Sequence, residues 1–562
     1  MTDTTAPSVL ALSDALLDDF VALRPVSATF WGVPGHDHAW DDFGPEGAAR
    51  AMSLLTDYRR RLDALPTPVD ARERLAALVM RDFLDVELDR LAHDEHLVDL
   101  NNIASPFQLV RMVFDVMDTG SRTGWERMVQ RLKTIDPPCA SYRAALEEGR
   151  RRGQTVAVRQ VDAAIAQGRV HAGEGSFFRS LPATFARSEA FDPALAERLD
   201  RAAQHAARTY GELTDYLEGT YRPAARVSDG VGEERYVRKA KSFLGLDIDP
   251  RETFAWGWSE IRRIDARMRE VAAQILPGAD LDEVIRLLET DPARCAHGPE
   301  DLVRIMAERQ ARAVSELDGV HFDIPDPVRR VEVKLAPPGS TLGAYYIPPS
   351  EDFSRPGTIW YAPGSHALLP LYAEVSTAYH EGFPGHHLQC GIQVSLEGSL
   401  SRLHRVAQSE LQTGYAEGWA LYAERLMEEL GYYDRPDYLL GMLACQMIRA
   451  CRVVLDIGAH LGLSAPADAP FRPGELIDFD YGVEMIWRVA RQPQDNAASE
   501  MTRYLGWPGQ AIAYKVGERE ILSLRDELRA RRGAAFDRKA FHAELLGTGA
   551  VGLGALRELL LG

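Results

Sequence analysis

Three histidines and one glutamate stand within eight residues of this sequence: His380, Glu381, His386 and His387. Imidazole and carboxylate groups are the usual zinc ligands in hydrolytic sites, which keep one coordination position for water. In the common helical form, H-E-x-x-H, two histidines four residues apart share one helix face and the glutamate acts as a base. The segment therefore predicts a zinc site with Glu381 as its general base.

The second histidine does not follow the common spacing. Pro384 occupies the fourth position after His380, and the next histidines come six and seven residues after His380. An unbroken helix, at about 100° per residue, would place His387 close to the face of His380. A break at Pro384-Gly385, which proline favours, would instead bring His386 into the missing position. Helix geometry alone leaves both histidines as candidates.

A third ligand is expected from a later apolar helix. Glu417 and Glu424 lie seven residues apart in a segment rich in Ala, Trp and Leu, so they share one helix face. Carboxylates are costly to bury in such surroundings unless they are paired or bound to metal. Glu417 is therefore the predicted third ligand, and Glu424 is the predicted partner that orients a ligand histidine. A location of either carboxylate on the helix surface is the alternative.

A polar stripe on another helix is a candidate for substrate contacts. Arg452, Asp456 and His460 follow one another at intervals of four, so they line one face. This stripe is either a structural network of ion pairs or a wall of the active site. In the second case Arg452 or His460 binds a substrate carboxylate or an oxyanion, and Asp456 supports them.

The segment around Pro508 is a second candidate for substrate contacts. Pro508 marks a helix start, with Gln510, Tyr514 and Lys515 on its first turns and Tyr504 shortly before it. A tyrosine hydroxyl that donates to a developing oxyanion would supplement zinc. The alternative for Tyr514 is a place in the core.

The elements that must position these residues are mainly helices. Apolar residues recur at spacings of three and four in 75–92 and 196–217, which is typical of helices with one buried stripe. Short alternating or aromatic segments at 331–335, 343–347 and 357–361 predict three strands of a small antiparallel sheet. Helical patterns return from about 366 to the end of the chain.

This change of pattern suggests two parts. We expect a helical N-terminal lobe over 1–330 and a catalytic lobe over 331–562, with the sheet in 331–363 and the metal-site helices in 366–562. One intertwined domain is the alternative. A chain of 562 residues exceeds what a single small core needs.

Composition excludes several classes of partner. The chain has 83 acidic against 64 basic residues and a net charge of −19, which disfavours nucleic acid and acidic membrane surfaces. The N-terminus has no basic and apolar leader pattern, and no run of about twenty apolar residues predicts a membrane span. Five cysteines without a CxxC pair indicate a reducing compartment. We therefore expect a cytoplasmic protein; a monomer and a homodimer both remain open.

The ordered motifs resemble a bacterial family known as domain of unknown function 885. The resemblance covers nearly the whole chain and rests on these segments: Arg24-Pro25-x-x-Ala28-Thr29-x-x-Gly32 with Asp41-Asp42, His380-Glu381-x-x-Pro384-Gly385-His386-His387-Leu-Gln389, Glu417-Gly-Trp-Ala-Leu-Tyr422-x-Glu424, Arg452-Val-Val-Leu-Asp456-x-Gly458-x-His460, and Pro508-Gly-Gln510-Ala-x-x-Tyr514-Lys515-x-Gly517.

That family is similar in fold to the Taq-type thermostable metallocarboxypeptidases and to oligopeptidases related to thimet oligopeptidase. The resemblance implies a mainly α, zincin-like fold, a large two-lobed helical shell around a deep groove with the small sheet at one wall. It also implies that His380, His386 and Glu417 bind one zinc ion and that Glu381 is the base. It favours His386 over His387, which then supports the ligands from beside them.

The expected function is a zinc metallopeptidase that acts on short peptides. A carboxypeptidase-like action is the more specific form, with Arg452 or Lys515 holding the terminal carboxylate and Gln510 and Tyr504 near the substrate. Tyr514 or His460 would stabilise the oxyanion. A zinc hydrolase of non-peptide amides or esters is one alternative. A catalytically silent helical binding protein that keeps the fold is the other.

Overall fold

The chain is mainly helical, as the sequence predicts. The computed structural model describes residues 8–336, 343–363, 367–407 and 412–562. In these ranges the α-helices are α1 Val9–Leu23, α2 Pro25–Phe30, α3 Pro45–Asp63, α4 Ala71–Ala92, α5 Pro106–Met112, α6 Arg122–Lys133, α7 Asp136–Arg151, α8 Val158–Ala172, α9 Phe177–Phe185, α10 Pro193–Tyr216, α11 Glu233–Leu244, α12 Pro250–Ile275, α13 Leu281–Thr290, α14 Pro299–Leu317, α15 Leu371–Glu381, α16 His386–Ser395, α17 Arg402–Val406, α18 Thr413–Glu429, α19 Pro436–Leu461, α20 Phe479–Arg488, α21 Gln494–Gly506, α22 Ala513–Arg532, α23 Arg538–Gly547 and α24 Leu553–Leu561.

Contacts divide the chain into two compact units. The first contains Met1–Asp229 and Ser401–Val406, and the second contains Gly230–Leu400 and Ala407–Gly562. Residue 330, where the sequence pattern changes, lies inside the second unit, between α14 and the first strand of the sheet. All of the predicted site residues belong to the second unit.

Aromatic side chains fill the core of the first unit. Trp125 of α6 stacks at a tilt on Phe185 of α9, with 4.8 Å between ring centroids. Phe107 of α5 lies 4.7 Å from Tyr210 of α10. The predicted stripes at 75–92 and 196–217 correspond to α4 and α10, because a 3.6-residue period places their apolar residues on the buried side.

The small sheet of the second unit contains the three predicted strands. They are β2 Val331–Leu335, β3 Gly343–Ile347 and β4 Gly357–Ala362; the two-residue strands β1 Cys295–Ala296 and β5 Leu369–Pro370 pair separately.

The strand pairing corrects the prediction of a wholly antiparallel sheet. The order is β2-β4-β3, in which β3 and β4 are antiparallel and β2 and β4 are parallel. Alternation in a sequence locates a strand but does not identify its partner. Here β2 pairs with the edge of β4 that β3 leaves open.

The long helix α19 forms the centre of the second unit. It packs against α12 and α15, and most of its residues are buried. By length and composition alone α19 is apolar enough to cross a membrane, but 72% of that window is buried inside the protein. Burial of this kind is expected of a core helix, which is apolar because protein surrounds it.

Helices α18 and α22 approach each other through glycines, and this contact positions Glu417. A Cβ on Gly517 would lie 2.1 Å from the carbonyl oxygen of Gly414, and one on Gly418 would lie 2.5 Å from the Gly517 carbonyl carbon. No larger side chain fits without moving one helix, and Glu417 directly precedes Gly418.

We predict that Gly517→Ala destabilises the protein, because its methyl group must separate α18 from α22. Overpacking of this kind costs about 1–3 kcal/mol, which corresponds to roughly 2–10 °C in melting temperature. The matched control is Gly547→Ala at the end of α23, where an added Cβ has no atom within 4 Å. Thermal unfolding of both variants is the measurement, and equal melting temperatures would contradict the close contact.

Candidate metal centre

The backbone breaks between α15 and α16, where the sequence analysis places a break. Helix α15 ends at Glu381, and α16 begins at His386. A Cβ on Gly385 would lie 2.0 Å from the carbonyl oxygen of His380, so only glycine allows this close return of the chain. The peptide bond before Pro384 is cis. The break brings His386 next to His380, with 4.9 Å between their ring centroids.

Two buried side chains hold this break, and the sequence analysis missed both. The Gln310 side chain on α14 donates to the carbonyl oxygen of Ala378 (2.8 Å) and accepts from the backbone N–H of Phe383 (2.6 Å). The indole N–H of Trp419 donates to the carbonyl oxygen of Pro384 (2.9 Å). A polar glutamine on the apolar face of α14 was the available signal, since a buried amide needs partners.

Three ligand-type atoms converge at this break. The Nε2 atoms of His380 and His386 lie 3.3 and 3.5 Å from Oε2 of Glu417, and suitable atoms of all three residues lie within 4.8 Å of one another. That carboxylate oxygen is buried and accepts no hydrogen bond from any residue the structure describes. Two imidazoles and one carboxylate form a donor set that suits zinc and leaves room for water.

The charges of the cluster are strongly coupled. Burial alone would raise the pKa of the Glu417 carboxyl, but the imidazoles of His380 and His386 hold that pKa well below its usual range. Burial would lower the pKa of His380, but the carboxylates of Glu417 and Glu424 raise it to about 9. A divalent cation would take the place of protons here, because metal binding releases protons from its ligands.

Glu424 orients His380 from behind. Its Oε1 lies 2.8 Å from Nδ1 of His380, and its Oε2 accepts from the Ser376 hydroxyl at 2.8 Å. That hydroxyl also lies 3.1 Å from the Tyr433 hydroxyl. The carboxylate directs Nε2 of His380 toward Glu417. This is the supporting position predicted for Glu424 from the sequence.

His387 points away from the cluster. Its Nε2 lies 2.7 Å from the carbonyl oxygen of Val328, and its Nδ1 lies 3.1 Å from the Tyr346 hydroxyl. Because a carbonyl only accepts, Nε2 carries the proton and Nδ1 accepts from Tyr346. Burial lowers the pKa of His387 to about 4. His387 therefore ties the sheet to α16, and His386 is the histidine that faces Glu417.

A cavity of about 520 Å³ opens onto these groups. Its lining combines the three ligand-type residues with Glu381, aromatic residues of β3, two arginines of α19, and Tyr514; the lining residues are Ala344, Tyr345, Tyr346, Pro348, His380, Glu381, His386, Gln389, Cys390, Thr413, Ala416, Glu417, Arg449, Arg452 and Tyr514. Burial raises the pKa of Glu381 and that of Tyr514.

The predicted polar stripe on α19 divides between the cavity and the core. Arg452 lines the cavity, and its guanidinium donates to Glu500 (2.9 Å) and to the Tyr504 hydroxyl (3.0 Å). His460 lies away from the cavity, with Nε2 3.1 Å from the Tyr504 carbonyl oxygen and 3.4 Å from Asp456. The expectation that His460 contacts an oxyanion is therefore corrected: the helix continues past the cavity, so its last turn reaches only the core.

Asp456 has a structural place behind the cavity. Its Oδ2 accepts from the Tyr236 hydroxyl (2.9 Å) and from the backbone N–H of Gly509 (3.0 Å). Burial raises its pKa to about 7. This carboxyl group fixes the turn before α22 and so positions Tyr514.

The other residues predicted near the substrate are engaged elsewhere. Lys515 is 1% exposed and lies among Gln446, Glu518 and Glu260, the last at 3.3 Å. Its ammonium group is held by these partners and does not line the cavity, so Lys515 is corrected from a substrate contact to a buried ion-pair residue.

Gln510 and Tyr504 belong to a polar network beneath the cavity wall. The side-chain oxygen of Gln510 accepts from Arg503 at 2.6 Å, and the Tyr504 hydroxyl donates to Glu500 at 2.7 Å. Neither lines the cavity, so both are corrected from substrate contacts to supports of Arg452 and Arg503.

Comparison with known proteins identifies the family. The family described as "Bacterial protein of unknown function (DUF885)" matches residues 25–560, so the chain belongs to that family. No curated protein matches the chain.

Two solved structures share the fold. One is described as "the putative lipoprotein from Colwellia psychrerythraea". Its match has a TM-score of 0.84 at 21% sequence identity and covers 98% of this chain and 98% of that chain. The other, "a putative lipoprotein of unknown function from Shewanella oneidensis", has a TM-score of 0.74 at 18% identity and covers 99% of this chain and 100% of that one.

These descriptions overturn the predicted cytoplasmic location. Both similar structures are described as putative lipoproteins, a class that is membrane-associated or secreted. The cysteine argument failed for a physical reason. All five cysteines are free and four of them are buried. Burial removes a thiol from oxidants in any compartment, so their number does not report the compartment.

We predict that His386→Ala loses zinc and that His387→Gln keeps it. Of these two neighbouring histidines, His386 faces Glu417 and His387 does not. The zinc content after dialysis against metal-free buffer, measured by elemental analysis, tests this prediction. Glutamine at 387 retains a donor for the Val328 carbonyl, which makes it a matched control for loss of an imidazole. Equal zinc content in the two variants would exclude His386 as the distinguishing ligand.

We also predict that Glu424→Gln weakens zinc binding by about 10- to 100-fold, the usual effect of losing the carboxylate behind a ligand histidine. The amide keeps the shape and can still hydrogen-bond Ser376, but it no longer carries the charge that orients and polarises His380. Competition with a chromophoric chelator measures the affinity. An unchanged dissociation constant would show that the His380–Glu424 contact does not act on the site.

Proposed function

We propose that this member of the bacterial family is a zinc-dependent hydrolase that cleaves short peptides. One observation carries the proposal. A buried carboxylate oxygen of Glu417, which accepts no hydrogen bond from the described residues, lies 3.3 and 3.5 Å from Nε2 of His380 and of His386. Without metal, the two imidazoles stabilise this buried carboxylate, and a zinc ion held by His380, His386 and Glu417 would take the place of their protons. Glu381 lines the same cavity.

When held by His380, His386 and Glu417, zinc would polarise a carbonyl group and a water molecule. The chain's own contribution to proton transfer is Glu381. Burial raises the pKa of this carboxyl, which brings it closer to neutral pH. A general base is most effective when its pKa lies near the working pH. Glu381 therefore accepts a proton from water and returns it to the leaving amine.

Tyr514 is the residue we propose to stabilise the oxyanion. It lines the cavity, and burial raises the pKa of its hydroxyl, so the group stays protonated and can donate. The Arg452 guanidinium lies 4.6 Å from the centre of the Tyr514 ring, and a cation against the ring face restricts the ring's movement. A donor fixed beforehand stabilises developing charge without reorganisation.

The cavity suits a short peptide. Its volume of about 520 Å³ lies within the range of small-molecule sites, and Tyr345, Tyr346 and Pro348 offer an apolar wall for a side chain. The zincin-like, two-lobed arrangement of the Taq-type and thimet-type peptidases is part of this proposal. The ligand pattern supports it, although the second histidine here follows a break rather than a continuous helix.

We predict that Glu381→Gln abolishes hydrolysis but keeps zinc, with kcat/KM lowered by about 10²–10⁴-fold, the usual size of a general-base contribution. The matched control is Glu374→Gln, the same change two turns earlier on α15. Glu374 is also desolvated, with its pKa raised to about 7, but it does not line the cavity. Cleavage of a peptide library, followed by mass spectrometry, is the measurement.

The outcomes separate the candidate functions. Loss of cleavage in the Glu381 variant but not in the Glu374 variant supports the peptidase. Zinc-dependent hydrolysis of aryl esters or amides without peptide cleavage would favour a non-peptide hydrolase. Stoichiometric zinc with no turnover on either panel would favour a silent binding protein, and no zinc uptake under zinc-replete conditions would refute all metal-dependent chemistry here.

A further inference from the structure

One arginine of the cavity wall has no carboxylate partner among the residues that the structure describes. Arg449 of α19 lines the cavity, and its NH1 donates to the Cys445 carbonyl oxygen of the same helix, at 3.1 Å. Its Nε is buried without a hydrogen bond to any described residue. Arg452, one turn further along, is paired with Glu500 at 2.9 Å.

Two acidic side chains attract the Arg449 guanidinium without pairing with it: Glu381, which lines the same cavity, and Glu424. Glu424 attracts this guanidinium, but its two oxygens bind His380 and Ser376 at 2.8 Å each. No carboxylate in the described residues comes within ion-pair distance of Arg449. Arg449 therefore presents to the cavity guanidinium donors that no described carboxylate occupies, and an anion that arrives with a ligand suits this position.

We propose that Arg449 binds a carboxylate of the substrate, the terminal carboxylate of a short peptide. The inference rests on the proposed peptidase function and names the end of the substrate that the site recognises. Arg449 and Arg452 lie on the wall formed by α19, whereas His380 and Glu417 belong to α15 and α18. All of these residues line one cavity, so a peptide whose carboxylate contacts Arg449 lies in the same cavity as the metal ligands, and we expect it to lose its C-terminal residue.

The chemistry of Arg449 suits this ligand and not a neutral one. A guanidinium presents paired N–H donors that match the two oxygens of a carboxylate. Acidic side chains carry the same group, so a terminal carboxylate and an Asp or Glu side chain are the two sources. Three peptides separate them: a neutral peptide with a free C-terminus, its C-terminal amide, and an amide with glutamate as the last residue.

The main test is Arg449→Gln with these three peptides. We expect the variant to lower kcat/KM for the free-acid peptide by about 30-fold or more, the usual effect of removing one partner of a desolvated charge pair. The neutral amide should be a poor substrate for the unaltered protein and should not be affected further. Rapid, Arg449-dependent cleavage of the glutamate amide alone would overturn the terminal-carboxylate assignment.

Stability distinguishes an anchor from a structural arginine. Because no described carboxylate lies within ion-pair distance of Arg449, Arg449→Gln should keep the melting temperature and should keep zinc. Arg449→Lys should fall between, since it retains charge but not the paired donors. Arg488→Gln is the control, an exposed arginine of α20 that pairs with Glu484 and lies over the Trp487 ring. A melting temperature lowered only by Arg449→Gln, with equal loss on all three peptides, would overturn the proposal.

A binding measurement separates this inference from the proposed function. In the Glu381→Gln background, calorimetry with a free-acid dipeptide and its amide should show tighter binding of the acid, lost on Arg449→Gln. That result without any hydrolysis by the unaltered protein would support the anchor and refute the peptidase alone. Hydrolysis that does not discriminate acid from amide, with or without Arg449, would support the peptidase and overturn the anchor.

Discussion

The burial of Glu417 against two imidazoles is the constraint on which the second unit depends. Bringing this oxygen to 3.3 and 3.5 Å from His380 and His386 requires three helices, α15, α16 and α18, to converge at one point. The break after Glu381 supplies the two histidines from one side, and α18 supplies the carboxylate from the other. The Gly418–Gly517 contact behind α18 leaves no space for that helix to retreat.

Around this point, a second set of polar side chains hydrogen-bonds the residues that face the cavity. Glu424 and Ser376 hold His380 from behind, and Asp456 holds the turn that leads to Tyr514. These groups do not touch the cavity, yet they determine which atoms face it. Arg449 differs from them because it faces the cavity and no described carboxylate pairs with it. In the α19 wall of the cavity, Arg452 is paired with Glu500, whereas Arg449 has no described carboxylate partner. The Arg449 end of this wall is therefore the end that suits a ligand carboxylate.

Residue types and spacing predict much of this arrangement, and physical reasons explain the rest. The helices and three strands follow from periodicity, and the break follows from Pro384 and Gly385. His386 is favoured because a helix rarely continues through proline. Pairing of β2 with β4 was not predictable, since alternation carries no information about partners. The same limit applies to Lys515 and His460: spacing identifies a helix face but not which neighbour covers it. Gln310 was overlooked because its role lies in backbone contacts.

The neighbouring histidines at 386 and 387 have different partners: His386 faces Glu417, and His387 contacts Val328 and Tyr346. This difference limits changes in the length of the chain that precedes them. Four residues, Gly382 to Gly385, connect α15 to α16. Losing or gaining one of them would rotate α16 relative to α15, exchange the environments of the two imidazoles, and break the contacts of His387 with Val328 and Tyr346. Related sequences that keep the site should therefore keep the four-residue length of this connection, while exposed loops are free to vary.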